Sequence, residues 1–451
     1  MTIHTQLRNL GLFDARVPRY TSYPTAPHFS TDLTATQVSS WLADLDPSVP
    51  ISLYVHVPFC RRLCWFCACR TQGTSTLSPV AAYIETLKLE LALIKQRLPD
   101  GIEIGHLHWG GGTPTLMDAA MIKDLTSAIA DVAPFAKSYE FSVEIDPNEI
   151  DDARLDALAF AGMTRASIGV QDFDPEIQET IGRIQSYEIT KSAVDGLRAR
   201  GIKSLNADIL YGLPGQTRER IADSVQKLLT LSPDRVALFG YAHVPWVARR
   251  QSMIPTDKLP TPEERLDLFN VARDLFTMDG YTEIGIDHFA RRGDGLELAA
   301  RSGKLRRNFQ GYTDDKCQTM VGVGASSIAK FADGYAQNAP STSDYQKRVR
   351  AGDLPITKGH AFTAEDHLRG RIIEALMCDF LVTFDDLATR FSLTQSEFNA
   401  FAASVDTAFP EMLKVSEAAI EIRNHARPLA RMIARHFDAY AVSQAQHSSA
   451  V

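Results

Sequence analysis

Apolar residues run almost unbroken through Ile51–Val57, Ile-Ser-Leu-Tyr-Val-His-Val, and this predicts a strand buried on both faces. From about Ser78 to Arg97 they recur instead at spacings of three and four, which predicts a helix with one apolar face. The alternation continues, with strands expected at about His106 to Trp109, Glu140 to Ile145, Arg165 to Ile168, Ser204 to Leu210 and Arg235 to Phe239, separated by helical segments. Strands that alternate with helices pair in parallel through right-handed crossovers. Six such units predict an α/β fold, a partial (β/α)6 TIM-like barrel over residues 49–290. Functional groups then belong at the carboxyl ends of its strands.

The flanks follow other rules. Residues 1–48 carry the polar and aromatic stretch Arg19-Tyr-Thr-Ser-Tyr-Pro-Thr25 and a short helical pattern near Thr36 to Leu45, and read as an N-terminal arm over the active site. After a strand near Tyr281 to Ile286 the pattern loosens, and residues 291–362, with the glycine-rich Val321-Gly-Val-Gly324, read as a barrel extension that contacts substrate and cofactor. Over 363–451, helices are predicted at Ala364 to Cys378, Thr383 to Arg390 and Gln395 to Phe409, then a hairpin around Met412 to Arg423 and a helix near Pro428 to Tyr440. This is a mainly helical, winged-helix-like unit, read as a cap over the substrate. A polar, disordered tail is expected after about Ser443.

Charge narrows the choice of partner. From Ala361 to the end there are 8 Lys and Arg against 12 Asp and Glu, where a wing on duplex nucleic acid needs a basic face. The whole chain of 451 residues has 47 Lys and Arg against 55 Asp and Glu, so no nucleic-acid partner is expected. Apolar residues make up 45%, enough for a large core, and no run of about 18 uncharged apolar residues occurs. The first residues lack the basic-then-apolar order of a secretory signal. A cytoplasmic protein without a membrane partner is expected.

Chemistry concentrates in the cysteines. Four of six, Cys60, Cys64, Cys67 and Cys69, fall within ten residues, while Cys317 and Cys378 are isolated. A disulfide framework would spread its cysteines between distant loops, and structural zinc would take two ligand pairs a dozen or more residues apart. Spacings of four and three residues instead let one loop wrap an iron–sulfur cube with three thiolates. One iron is left without a protein ligand, and an open corner allows chemistry rather than electron storage alone.

Cys60-x-x-x-Cys64-x-x-Cys67, with Phe66 before the last ligand, resembles the signature of the radical S-adenosylmethionine enzymes. Segments outside the loop narrow the resemblance to the oxygen-independent coproporphyrinogen III oxidases: Arg19-Tyr-Thr-Ser-Tyr-Pro-Thr25, Tyr54-Val-His-Val-Pro-Phe-Cys60, His108-Trp-Gly-Gly-Gly-Thr-Pro-Thr115, Val143-Glu-Ile-Asp-Pro147, Gly169-Val-Gln-Asp-Phe173, Asp208-Ile-Leu-Tyr-Gly-Leu-Pro214, Tyr241-Ala-His243, Asp287-His-Phe-Ala-Arg291 and Asn308-Phe-Gln-Gly-Tyr-Thr313. They run in family order over nearly the whole chain. Ala68 stands where many members have glycine, and this removes no ligand.

The resemblance implies oxidative decarboxylation of two propionates of coproporphyrinogen III to vinyl groups, giving protoporphyrinogen IX. A deoxyadenosyl radical takes a β-hydrogen, carbon dioxide leaves, and one electron passes to an acceptor; neither the electron donor nor the acceptor is identified. It implies a 4Fe-4S cluster on Cys60, Cys64 and Cys67 and two S-adenosylmethionine molecules. Positions matching the first are Tyr54, Gly111, Glu144 and Ile328, and those matching the second are Phe66, Gly112, Thr113, Gln171, Arg183, Asp208 and Ala242. Cys69 matches a non-ligand that the reaction needs, against the alternative of a plain small thiol. A monomer is expected. The rival reading is a related haem carrier (haem chaperone) without decarboxylase activity; such relatives usually lack the arm motif and the cysteine matching Cys69. Four substrate carboxylates call for local positive charge, and the pairs Arg61-Arg62, Arg249-Arg250, Arg291-Arg292 and Arg306-Arg307 are candidates.

Overall fold

The computed structural model describes residues 3–440 and 449–450. Six parallel strands form its centre: β1 (Ile51–Val57), β2 (Ile104–Gly111), β3 (Phe135–Ile145), β4 (Arg165–Gln171), β5 (Ser204–Tyr211) and β6 (Arg235–Gly240). They lie side by side in chain order, as right-handed crossover units require. β1 is buried at six of its seven positions, which is why it reads as a continuous apolar run. The helix Ser78–Lys95 turns Val80, Tyr83, Ile84, Leu87, Leu91 and Ile94 onto the sheet, the three- and four-residue spacing of its sequence. Later crossover helices are started by side chains that accept a first-turn N–H: Asp118, Asp151, Ser186 and Thr217.

The sheet continues beyond both ends of the predicted barrel, to twelve strands among the described residues. Met320–Val323 adds to β1 in parallel, Tyr54 opposite Gly322, and is followed by antiparallel Ile328–Phe331, Gly334–Asn338 and Ile356–Ala361. On the other side His288–Arg291 pairs antiparallel with β6, and Tyr281–Ile284 lies outside it. The stretch 291–362 thus supplies four strands of this sheet, where the sequence pattern was less regular.

The second core belongs to the C-terminal region. Helices Ala364–Cys378, Phe384–Phe391 and Gln395–Ala408 pack with a three-stranded sheet of Leu381–Thr383, Leu413–Val415 and Ala419–Ile422. The predicted helix from Pro428 to Tyr440 is shorter: a 3-10 segment over Asn424–Leu429 precedes an α-helix over Ala430–His436, because Pro428 cannot donate to a regular α-turn. Residues 3–48 divide between the two cores. Leu7, Leu12, Phe13, Val17, Tyr20 and Tyr23 are buried with the C-terminal helices, whereas Val38 and Leu42 pack on the barrel. The tail expected after Ser443 falls mostly on residues 441–448, outside the described ones; at its end Ser449 forms an antiparallel bridge with Arg16 rather than hanging free.

Candidate functional site

The loops after β1 and β2 are stitched together at the carboxyl edge. Gly112 N–H donates to the Val57 carbonyl (2.9 Å) and Thr113 N–H to the Phe59 carbonyl (2.7 Å). That approach is why three glycines stand in a row. A Cβ on Gly110 would lie 2.7 Å from Glu144 Oε1, one on Gly111 2.5 Å from the His56 ring, and one on Gly112 2.6 Å from the Phe59 carbonyl oxygen. Gly111 also has φ +113°, a conformation that disfavours side chains. Tyr54 joins this group: its hydroxyl lies 2.9 Å from His56 Nδ1, and its ring stacks on His108 at 5.8 Å.

Glu144, next to the end of β3, accepts the Gly111 N–H (3.0 Å) and faces His108 Nε2 (3.4 Å). Burial pushes its carboxyl pKa up, but the hydrogen bonds and charge of His108 and the Gly111 N–H outweigh it and hold the group below its ordinary value. Ile328 adjoins Tyr54 through the intervening strand: a Cβ on Gly322 would lie 2.9 Å from the Ile328 carbonyl carbon.

All six cysteines, each among the described residues, are free thiols. Burial pushes Cys60 up to about 11 although Thr113 offers it a hydrogen bond. Cys64 is likewise raised by burial, with Arg183 Nη1 3.6 Å from its sulfur working the other way. Cys67 is drawn toward the thiolate by the Cys69 thiol; the Cys69 N–H, 3.4 Å from the Cys67 sulfur, and the positive charge of Arg250 and Arg183 act in the same direction. Cys69 itself is exposed. Cys317 lies against Gly105 at the opposite end of β2, and Cys378 is buried in the C-terminal region.

The remaining predicted residues form a neighbouring group. Arg183 spans the space between β3 and β4, donating to the Gly169 carbonyl (2.9 Å) and to Asp146 (3.3 Å). Its buried Nε has no partner among the described residues. A Cβ on Gly169 would meet both Gln171 Nε2 at 2.9 Å and Arg183 Nη2 at 3.3 Å, so those side chains are adjacent. Gln171 sits at φ +69°, beside a register shift that ends β4. Asp208 accepts from Asn206 Nδ2 (2.9 Å), and burial followed by the charge of Glu144 raises it to about 7. Phe66 and Ala242 are joined by a residue the sequence did not single out: Gln251 Nε2 donates to both their carbonyls, at 2.7 and 3.0 Å. Nothing in the surrounding Arg-Arg-Gln-Ser marked it.

The arginine pairs separate. Arg61 lies 3.7 Å from Glu149, Arg250 donates to Thr71, Arg291 covers the Tyr281 ring, and Arg62, Arg292 and Arg306 are exposed. Arg307 alone of these is buried.

The donor set suits an anionic cluster. Three free thiols share one loop, and a guanidinium and a backbone N–H already point at two of their sulfurs. Among the described residues no three His, Cys, Asp or Glu side chains converge on one metal ion. A cube asks for something different, one thiolate at each of three irons. The glycine cradle, the ionised Glu144 and the unpartnered Arg183 Nε likewise fit a zwitterionic nucleoside with ammonium, carboxylate and hydroxyl groups.

Comparison with known proteins agrees. The Radical SAM superfamily profile matches residues 54–228. The chain is 58% identical, over the full length of both, to the oxygen-independent coproporphyrinogen III oxidase of Paracoccus denitrificans, and 36% identical to that of Escherichia coli, covering 94% of this chain and 93% of the relative. The solved structure of coproporphyrinogen III oxidase from Escherichia coli, described as a radical SAM enzyme, superposes with a TM-score of 0.90 at 35% identity, over 95% of this chain and all of that one. The chain therefore belongs to the oxygen-independent coproporphyrinogen III oxidases of the radical SAM superfamily.

Proposed function

We infer that this protein is the oxygen-independent coproporphyrinogen III oxidase of a haem-forming pathway, converting two propionates of coproporphyrinogen III to vinyl groups. The observation that carries the reading is the cysteine loop at the carboxyl end of β1, beside the Gly110–Gly112 cradle and Glu144, in a chain 58% identical throughout to such an enzyme. A 4Fe-4S cluster with S-adenosylmethionine supplies a one-electron cleavage that delivers a hydrogen-abstracting deoxyadenosyl group.

The chain's own residues do the rest. Cys60, Cys64 and Cys67 would hold the cluster, with Arg183 offsetting negative charge beside Cys64. Glu144, kept ionised by His108 and Gly111, offers an acceptor to an ammonium or ribose hydroxyl, while the glycines admit the cofactor close to backbone. Tyr54 and Ile328 flank this first nucleoside. A second one would meet Phe66, Gly112, Thr113, Gln171, Arg183, Asp208 and Ala242; the buried, unpartnered Arg183 Nε and the near-neutral Asp208 support it. Cys69, exposed beside Cys67, is available for a proton or substrate contact.

Residues 49–290 would act as the radical barrel, with 1–48, 291–362 and 363–451 as arm, extension and cap. No helix among the described residues is long and apolar enough to cross a membrane. Free thiols suit the cytoplasm, and arm and cap of one chain packed together suit a monomer with separate electron donor and acceptor. Anaerobic incubation of reconstituted protein with coproporphyrinogen III, S-adenosylmethionine and a reductant should give protoporphyrinogen IX, carbon dioxide and deoxyadenosine. Serine at position 60, 64 or 67 should cut bound iron to near zero, while Cys69→Ala keeps it. Full iron content in all three serine variants would refute the ligand assignment.

A further inference from the structure

A cavity of about 370 Å³ opens at the carboxyl ends of β5 and β6, between barrel, arm and C-terminal region; none of the predicted cluster or cofactor residues lines it, and of the candidate arginine pairs only Arg307 does. Its walls carry Arg19, Arg265, Arg273, Arg307, Arg427 and Arg431 against two carboxylates among the described residues, Glu283 and Asp287. Both acids are engaged: Glu283 lies 3.8 Å from Arg427, and Asp287 Oδ1 is 2.7 Å from His288 Nδ1. Positive charge is therefore in excess in a place partly removed from water, which is costly unless an anion joins it.

The guanidiniums are held rather than loose. Arg431 is buried and donates to the carbonyls of Val17, Pro18, Ser449 and Ala450. Burial, and then the charge of Arg19, lowers it to about 9. Arg307 donates to the carbonyls of Tyr20 and Arg19 and lies 4.2 Å from the Tyr312 ring centre, yet its buried Nη1 has no partner among the described residues. Arg19, exposed at the rim, donates to the Gly240 carbonyl at 2.7 Å, and Arg265 stands over the Tyr211 ring. An unsatisfied donor on a fixed guanidinium beside further arginines is the geometry that grips carboxylates.

The cavity is also next to the cluster loop. Gly240 and Tyr241 line it, and the following residue, Ala242, shares the Gln251 amide with Phe66. Tyr211 lines it three residues after Asp208.

We propose that this cavity anchors propionates of the tetracarboxylate substrate that are not reacting, with Arg19, Arg265 and Arg307 as carboxylate ligands and Arg431 positioning the arm that brings Arg19. The proposal rests on the coproporphyrinogen III oxidase reading and adds to it the residues that choose a polycarboxylate. Fixing two propionates would hold a third at the strand edge, where hydrogen abstraction needs close placement.

The test titrates reconstituted holoenzyme with coproporphyrin III, the fluorescent oxidised form of the substrate, and with its uncharged tetramethyl ester, alongside anaerobic turnover of coproporphyrinogen III. Arg19→Gln, Arg265→Gln and Arg307→Gln should each weaken coproporphyrin binding by roughly ten- to a hundred-fold, and raise KM more than they lower kcat. S-adenosylmethionine binding should stay unchanged, the ester should bind weakly to the wild type, and Arg301→Gln on the surface should behave as wild type. If Arg307→Gln does not fold, the rim residue Arg19 and the half-buried Arg265 still decide. Wild-type affinity in both those variants, or an ester that binds as tightly as the acid, overturns the anchoring site even while the wild type turns over. Arginine-dependent binding in a wild type that releases no carbon dioxide would instead keep the anchoring site and remove the oxidase reading.

Discussion

Glu144 and Asp208 show how the same functional group is tuned apart by its neighbours. Both are carboxylates near the carboxyl edge, and burial raises both, but only Glu144 has His108 and the Gly111 N–H to recover what desolvation costs. Asp208 has the amide of Asn206 and feels the charge of Glu144, so it ionises at about 7 instead of the usual value near 4. Between those two pH values the unfolded chain has lost this proton and the folded one still binds it. The stability it contributes is therefore complete below about pH 4 and is lost as pH rises through 7, on the order of 4 kcal/mol. Asp208→Asn keeps the shape and removes the titration, so the ligand-free variant should lose less stability than wild type between pH 5 and 8. Urea midpoints at the two pH values check this; equal losses in the two proteins would refute it. The sequence marked both acids through their family segments, but their opposite shifts depend on which partners face them, His108 reaching Glu144 from the neighbouring strand β2 and Asn206 lying two residues before Asp208 on β5 itself.

At the scale of elements, the glycine turn at the end of β2 is fixed by what a side chain there would strike. A methyl group at Gly112 would meet the Phe59 backbone carbonyl at 2.6 Å, and backbone cannot swing away as a side chain can. Gly112→Ala should therefore part the β1 and β2 loops, costing roughly 1–3 kcal/mol by overpacking, and should weaken S-adenosylmethionine binding at least ten-fold while the cysteines still take up iron. Equilibrium dialysis with thermal melts checks it, and unchanged binding would remove the cradle from the site. The same comparison shows what patterning could reveal. β1 and the C-terminal helix Ala364–Cys378 were legible to the residue because burial writes its period directly into the sequence. β2 was predicted short, since its last two residues are glycines that carry no hydrophobic signal, yet they pair with His56 and Val57. Gly334–Asn338 and Ile356–Ala361 were missed because they are strands through their pairing partners rather than through alternation. The loop cysteines needed no fold to be found; Gln251, which ties Phe66 to Ala242, was invisible because its role is a contact across 185 positions of chain.

For the molecule as a whole, the arm is a structural part of the C-terminal region. Leu12 is fully buried, and Leu7 and Val17 nearly so, among residues such as Ile372, Leu376 and Phe437. Tyr20 donates to Asp438 at 2.9 Å, and the Tyr23 hydroxyl accepts the Ala439 N–H at 3.0 Å. Removing the arm would expose this apolar surface and leave Arg431 without the carbonyls of Val17 and Pro18. At about 1.5–3 kcal/mol for each large apolar side chain returned to water, the loss exceeds what one small domain can absorb. Deleting residues 1–30 should therefore abolish turnover together with the fold of the C-terminal region. Hydrogen exchange should speed up across 364–437 while β1 to β5, whose core is separate, keep their protection. Leu12→Ala gives the graded version, with a cost of about 2–5 kcal/mol and the same regional pattern. Protection retained over 364–437 in the truncated protein would show that the arm serves the site alone, and the loss of turnover would then fall to Arg19 and the closing of the cavity.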